Sequence, residues 1–282
     1  MKIVITGSEG FLGRVICHKL SRKDFQIIKL DKKLNYDLTK PASLSGISDF
    51  DVLIHLASLS FVPDSFENPS SFYHTNITST LNAIDLCRKF SAKFIFISSY
   101  LYGNPEYLPI DEKHPLKPHN PYAQSKIISE NICMAYFRDF GVQYTIFRPF
   151  NIFGPGQNHN FLIPQIIQQA SRKKIILKDP NPKRDFIFVD DVADAVIRSI
   201  KHESSNQRIF NLGYGKSISV NEIANLIQKY CDYNLNITYT HESRKNEVMD
   251  TVANIEKARE LLDWYPKISV DHGLKTIVEK YL

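Results

Sequence analysis

The chain has 282 residues, enough to bury a full core in one or two domains. Hydrophobic residues make up 43% and the formal net charge is +5, which describes a soluble globular chain and excludes fibrous and disordered classes. No long Lys/Arg run points to nucleic acid and no apolar run is long enough to span a membrane, so the mild basicity fits an anionic small substrate better.

Strand and helix signals alternate from the first residues. Residues 2–6 read as a strand, 11–21 as a helix and 26–31 as a strand. Residues 51–55 read as a third strand, 70–90 as a helix and 94–97 as a fourth strand, apolar on both faces. A helix follows Pro121 and runs to about Phe140; residues 144–147 form another strand. This alternation predicts a doubly wound parallel α/β sheet. Beyond Asn151 the pattern loosens. Gly154-Pro155-Gly156 and Asp179-Pro180-Asn181-Pro182 are turns. Ser219-Val220-Asn221-Glu222 has capping-box spacing, and residues 255–262 read as a further helix. Cys17, Cys87, Cys133 and Cys231 lack metal-ligand or C-x-x-C spacing. They read as structural thiols of a reducing, cytoplasmic environment, with no metal expected. The N-terminus enters its first strand directly, which predicts no signal peptide.

Two motifs carry chemistry. The first strand runs into Gly7-Ser8-Glu9-Gly10-Phe11-Leu12-Gly13 and then a helix. Small residues there let the backbone approach a pyrophosphate at the helix N-terminus. Asp31, 18 residues beyond Gly13, ends the next strand where a carboxylate would meet a ribose 2′-hydroxyl. The second motif is Tyr122-Ala123-Gln124-Ser125-Lys126. A spacing of four puts both side chains on one helix face, where an ammonium would lower the phenol pKa toward neutrality. Such a pair serves as an acid or base.

These motifs belong to a longer ordered series. It includes Asp37-Leu38, His55-Leu56-Ala57-Ser58, Asn76, Ser98-Ser99-Tyr100-Leu101-Tyr102-Gly103 and Arg148-Pro149-Phe150-Asn151. Gly154-Pro155-Gly156, Arg184-Asp185-Phe186, Val189-Asp190-Asp191-Val192 and Asn211-Leu212-Gly213 follow. The chain resembles the extended short-chain dehydrogenase/reductases, the nucleotide-sugar epimerases, dehydratases and reductases, and is closest in pattern to UDP-sugar 4-epimerases.

The resemblance implies a Rossmann domain over residues 1–153, with a returning segment at about 184–215 that includes residues 186–197. Residues 154–183 and 216–282 would form a small substrate lobe. It implies a bound NAD contacted by Gly7, Gly10, Phe11, Leu12, Gly13, Asp31, Asp37, Leu38, Leu56, Ala57, Ser58, Asn76, Tyr122, Lys126 and Phe150. His55 reads equally as a ligand contact or a buried structural residue. Asp31 favours NAD by repelling a 2′-phosphate, although Lys32 and Lys33 would tolerate NADP. Tyr122 would be the acid/base and Lys126 its partner. Ser99 takes the third catalytic position when aligned along the strand, Ser98 when aligned backward from Tyr102-Gly103; Ser99 is preferred. Tyr102, Asn151, Arg184 and Arg244 would hold a nucleotide sugar, the arginines at its phosphates. Tyr100 and Leu101 stand where the family's dehydratases carry carboxylates, which argues against elimination of water. A 4-epimerase is expected, with a 4-keto-6-deoxy-sugar reductase next and a non-catalytic dinucleotide scaffold last. A homodimer is expected through the helices near 70–90 and 122–140.

Overall fold

The computed structural model describes residues 1–242 and 247–282. Its centre is a six-stranded parallel sheet of β1 (Lys2–Thr6), β2 (Gln26–Leu30), β3 (Val52–His55), β4 (Lys93–Ile97), β5 (Tyr144–Pro149) and, after a long excursion, Arg208–Leu212. The spatial order is β2-β1-β3-β4-β5, with Arg208–Leu212 at the edge beside β5. The order reverses between β1 and β3, so a crevice opens outside their carboxyl ends.

The alternation of side chains explains the double winding. Ile3, Ile5, Val52, Ile54, Ile95 and Ile97 belong to one buried cluster. Val4, Leu53, Phe94 and Phe96 belong to another. With both faces apolar, helices must cover both. Helix α1 (Phe11–Leu20) contributes Leu12, Ile16 and Leu20 to the first cluster. Helices α3 (Pro69–Phe90) and α4 (Pro121–Phe140) contribute Ala83, Ile84, Cys87 and Cys133 to the second; the short α2 (Val62–Glu67) precedes them. Local signals set the bounds of α4. The Asn120 side chain accepts from the Ala123 N–H at 2.8 Å, Pro121 occupies the first turn, and Gly141 ends the helix at φ 73°.

The second half adds two small sheets. Strands β6 (Asn151–Phe153), β7 (Lys174–Leu177) and β8 (Lys183–Phe188) precede β9, the edge strand Arg208–Leu212; β10 (Ser217–Ser219) and β11 (Asn236–Tyr239) follow it. One sheet has the order β10-β8-β6, and β11 pairs with β7. Helices α5 (Leu162–Ala170), α6 (Val189–Ser199), α7 (Val220–Tyr230), α8 (Glu256–Leu262) and α9 (Val270–Tyr281) complete the fold. The predicted capping box at the start of α7 is present, Ser219 and Glu222 each bonding the other's backbone N–H.

The expected return of residues 186–197 to the main sheet is corrected in part. Their strand portion lies in β8, within the three-stranded sheet. Helix α6 does return, and Lys19 of α1 pairs with Asp190 at 3.2 Å and Asp194 at 2.9 Å. The four cysteines are free, three of them buried. Among the described residues no group of His, Cys, Asp or Glu could hold a metal ion, and no helix is long and apolar enough to cross a membrane.

Candidate active site

The Gly-rich turn packs against the loop that follows β3. Gly7 has φ +66°, and a Cβ there would lie 2.8 Å from the Ala57 nitrogen. A Cβ at Gly13 would lie 2.2 Å from the Gly7 carbonyl oxygen, so α1 can start this close to the turn only as glycine. Helix α1 starts after Gly10, which gives it no side-chain cap, and has no acidic residue in its first turn. Its first amides are therefore free to meet an anion. Asp31 is drawn to the same place. One carboxylate oxygen accepts from the Glu9 N–H at 3.0 Å, the other from the Lys33 N–H at 2.9 Å. A turn open to an anion and a carboxylate that could accept from a ribose hydroxyl thus adjoin, an arrangement that fits a dinucleotide. Leu12 and Leu38 point into the core, so a dinucleotide would meet them through their backbone. Asp37 accepts from the Thr39 N–H and hydroxyl, which fixes a turn.

His55, for which both readings were open, and Asn76, an expected cofactor position, each carry hydrogen bonds within the fold. His55 is buried between Thr6 and Thr80, its ring nitrogens 2.8 and 3.2 Å from their hydroxyls. Burial holds its pKa down at about 3, so the ring stays neutral. Asn76 accepts from the Leu59 N–H at 2.8 Å and donates to the Leu59 carbonyl at 3.1 Å and to Ser125 at 2.9 Å. Instead of presenting a free amide to a cofactor, it braces the β3 loop against α4.

Tyr122 and Lys126 stand one turn apart at the start of α4, beside the end of β4. Lys126 is 3% exposed, donates to the Ile97 carbonyl at 2.9 Å and lies 4.8 Å from the Phe96 ring centroid and 6.0 Å from that of Tyr122. Burial lowers its pKa to about 7; Glu130, one further turn along, opposes the shift. The expectation that Lys126 depresses the Tyr122 pKa is corrected. Burial raises the phenol above its ordinary value, and the neighbouring Ser99 opposes this. The same proximity distinguishes the serines. Ser98 is 3% exposed with a hydroxyl that has no partner, whereas Ser99 lies close enough to Tyr122 to act on its phenol.

The expected substrate residues separate. Tyr102 is fully buried, its hydroxyl donating to Asn211 at 2.6 Å and accepting from Arg148 at 3.1 Å. With Phe150, 5% exposed, and Ile110 it forms a small third core cluster. Tyr102 is therefore corrected to a core residue, and Phe150 packs with it. Tyr100, whose role no spacing signalled, covers that cluster with its ring centroid 5.1 Å from Phe150. Arg184 lies close enough to act on its phenol, and Arg184 itself donates to the Glu247 carboxylate and the Val248 carbonyl. Asn151 donates to the Asp185 carbonyl at 3.2 Å, joining β6 to β8. Arg244 lies outside the described residues.

Sequence reasoning missed two buried acids. The Asp185 carboxylate accepts from the N–H groups of Tyr214, Gly215 and Ala253 at 2.6–3.0 Å, and burial raises its pKa to about 6 against those bonds. Glu130 holds Arg148 in a buried bidentate pair at 3.0 and 2.6 Å. Its signal was the spacing of four from Lys126, which places it on the same buried face.

The model of the NAD dependent epimerase/dehydratase family matches residues 3–213. The putative UDP-glucose 4-epimerase of Methanocaldococcus jannaschii is 32% identical, over 98% of this chain and 97% of its own length. The GDP-6-deoxy-D-mannose reductase of Pseudomonas aeruginosa is 29% identical, over 99% and 97%. Among solved structures, RMD from Pseudomonas aeruginosa complexed with NADPH superposes with TM-score 0.92 at 28% identity, covering 99% of this chain and 98% of the other. The Thermotoga maritima UDP-glucose 4-epimerase with UDP-glucose gives 0.90 at 25%, with the same coverage. A glycine turn at an uncapped helix start, a buried lysine one turn from a tyrosine, and a match over three quarters of the sequence lead to one conclusion: the chain belongs to the NAD-dependent epimerase/dehydratase family and is a sugar-nucleotide enzyme that depends on NAD(P).

Proposed function

We propose that the protein is a nucleotide-sugar 4-epimerase that retains NAD. The observation that carries this reading is the pairing of an Asp31 carboxylate beside the pyrophosphate turn with Ser99, Tyr122 and Lys126 at the end of β4. A carboxylate at the ribose selects against a 2′-phosphate. A nicotinamide bound there supplies the hydride acceptor and donor. Tyr122 takes the proton of the sugar 4-hydroxyl and later returns it, Ser99 holds the reacting oxygen, and Lys126 presents its remaining N–H donors toward the ribose. Asn151 and Arg184 would face the nucleotide end, a substrate diphosphate competing with Glu247 for the guanidinium. Arg244 completes the expected phosphate contacts, and a homodimer through α3 and α4 remains part of the proposal.

A second reading, the 4-keto-6-deoxy-sugar reductase, is favoured by Lys32 and Lys33 directly after Asp31, both exposed and available to a 2′-phosphate. Incubating the purified protein with UDP-hexoses and following the sugar 4-proton by NMR tests the choice. Interconversion without added nucleotide supports the epimerase. No interconversion, with consumption of NADPH when a nucleotide-linked 4-keto sugar is added, supports the reductase.

A further inference from the structure

The segment Gly154–Phe161 links β6 to α5 and passes over the start of α1. A Cβ at Gly154 would stand 3.5 Å from the Phe11 ring and 2.6 Å from Val189, so the segment lies directly against the first residue of α1. Its middle is pinned where the Gly156 N–H donates to the Tyr281 hydroxyl at 3.0 Å, and the Gln157 side chain donates to the Ile152 carbonyl at 2.8 Å. Its far end carries Phe161, whose ring meets Phe61 edge-on with centroids 5.7 Å apart. Phe61 follows the β3 loop, three residues beyond Ser58. The strap therefore starts beside α1 and ends against the loop after β3. Between these points lies the crevice at the carboxyl ends of β1 and β3, where the pyrophosphate cradle sits.

We propose that the Phe61–Phe161 contact is a clasp that closes this crevice over the bound dinucleotide and sets how long it stays. The inference rests on dinucleotide binding, a property of the family, and not on the choice between epimerase and reductase. A dinucleotide whose phosphates lie at the start of α1 can leave only when the strap lifts from the β3 loop. Both rings are half-buried and touch across two separate chain segments, so their contact is lost on opening and regained on closing. An enzyme that reuses its cofactor gains from a closed clasp; one that exchanges it at every turnover must open it each time.

The test uses the holoenzyme. The protein carries reduced nicotinamide dinucleotide, NADH or NADPH according to which it retains, and is mixed with excess oxidised form. Decay of the bound nicotinamide fluorescence then gives the release rate. Phe61→Ala and Phe161→Ala are each expected to speed release by about twofold to tenfold, the range an edge-to-face pair sustains. The double variant should release no faster than the faster single, because either change removes the same contact. Phe161→Tyr, which keeps the ring, should release at the wild-type rate, as should Phe66→Ala, which alters an exposed ring of α2. Should an alanine variant fold poorly, Phe61→Leu and Phe161→Leu keep apolar volume and are expected to show the same direction. Wild-type release in the alanine or leucine variants of either phenylalanine, or a double alanine variant whose effect is the product of the singles, would overturn the clasp.

Discussion

Replacing Lys126 by Met should stabilise the nucleotide-free protein in mild acid while abolishing turnover. The side chain is fully buried, and burial moves its pKa from 10.5 to about 7. The unfolded state therefore holds the proton more tightly than the folded state. Below the folded value both states are protonated, and the buried charge opposes folding by an amount on the order of 5 kcal/mol. As pH rises from about 7 toward 10.5 the folded lysine becomes neutral and this cost fades. Methionine fills similar volume without the charge. It forfeits the 2.9 Å bond to the Ile97 carbonyl, which costs about 1–3 kcal/mol. The net expectation is a gain of about 2–3 kcal/mol at about pH 6 that falls by roughly as much by about pH 9. Urea unfolding of both proteins at the two pH values measures the difference. A variant that is destabilised equally at both, or whose advantage does not change with pH, would refute the claim that a buried ammonium strains this helix.

Other perturbations follow from the same geometry. Glu130→Leu should cost about 3–5 kcal/mol by stranding the buried Arg148, and the double change Glu130→Leu with Arg148→Met should recover most of it in denaturant titrations. Asp185→Ala should cost about 3 kcal/mol or more, since three backbone N–H groups lose their acceptor; chemical denaturation reads this directly. Ser99→Ala and Tyr122→Phe should each lower kcat by about a hundredfold or more with bound nucleotide retained. Ser98→Ala should leave kcat and stability nearly unchanged, and a loss equal to that of Ser99→Ala would reverse the assignment of the two serines.

The main sheet was legible because its strands are short apolar runs bounded by turns, and their helices carry clear starts and stops such as Asn120-Pro121 and Gly141. The edge strand Arg208–Leu212 lies within the returning segment that the resemblance implied at about 184–215, but no local period marked it as a strand, since joining β5 after the whole β6–α6 excursion is a long-range pairing. The same holds for β8, whose residues Lys183–Phe188 read as part of a returning segment but pair with β6 and β10. At the site, the tyrosine–lysine spacing and the glycine turn were visible, while burial was not. The sequence places an ammonium near a phenol; only the packing of Phe96 and the Ile97 carbonyl around Lys126 reveals that desolvation outweighs their attraction. Tyr102 shows the same limit, an aromatic in a motif that the fold spends on a hydrogen bond to Asn211.

The most direct test of a retained NAD is to denature freshly purified protein and identify the nucleotide released. The account predicts NAD⁺ or NADH in stoichiometric amount without any added cofactor. A nucleotide-free protein that binds NADPH and oxidises it with a 4-keto sugar nucleotide would contradict it.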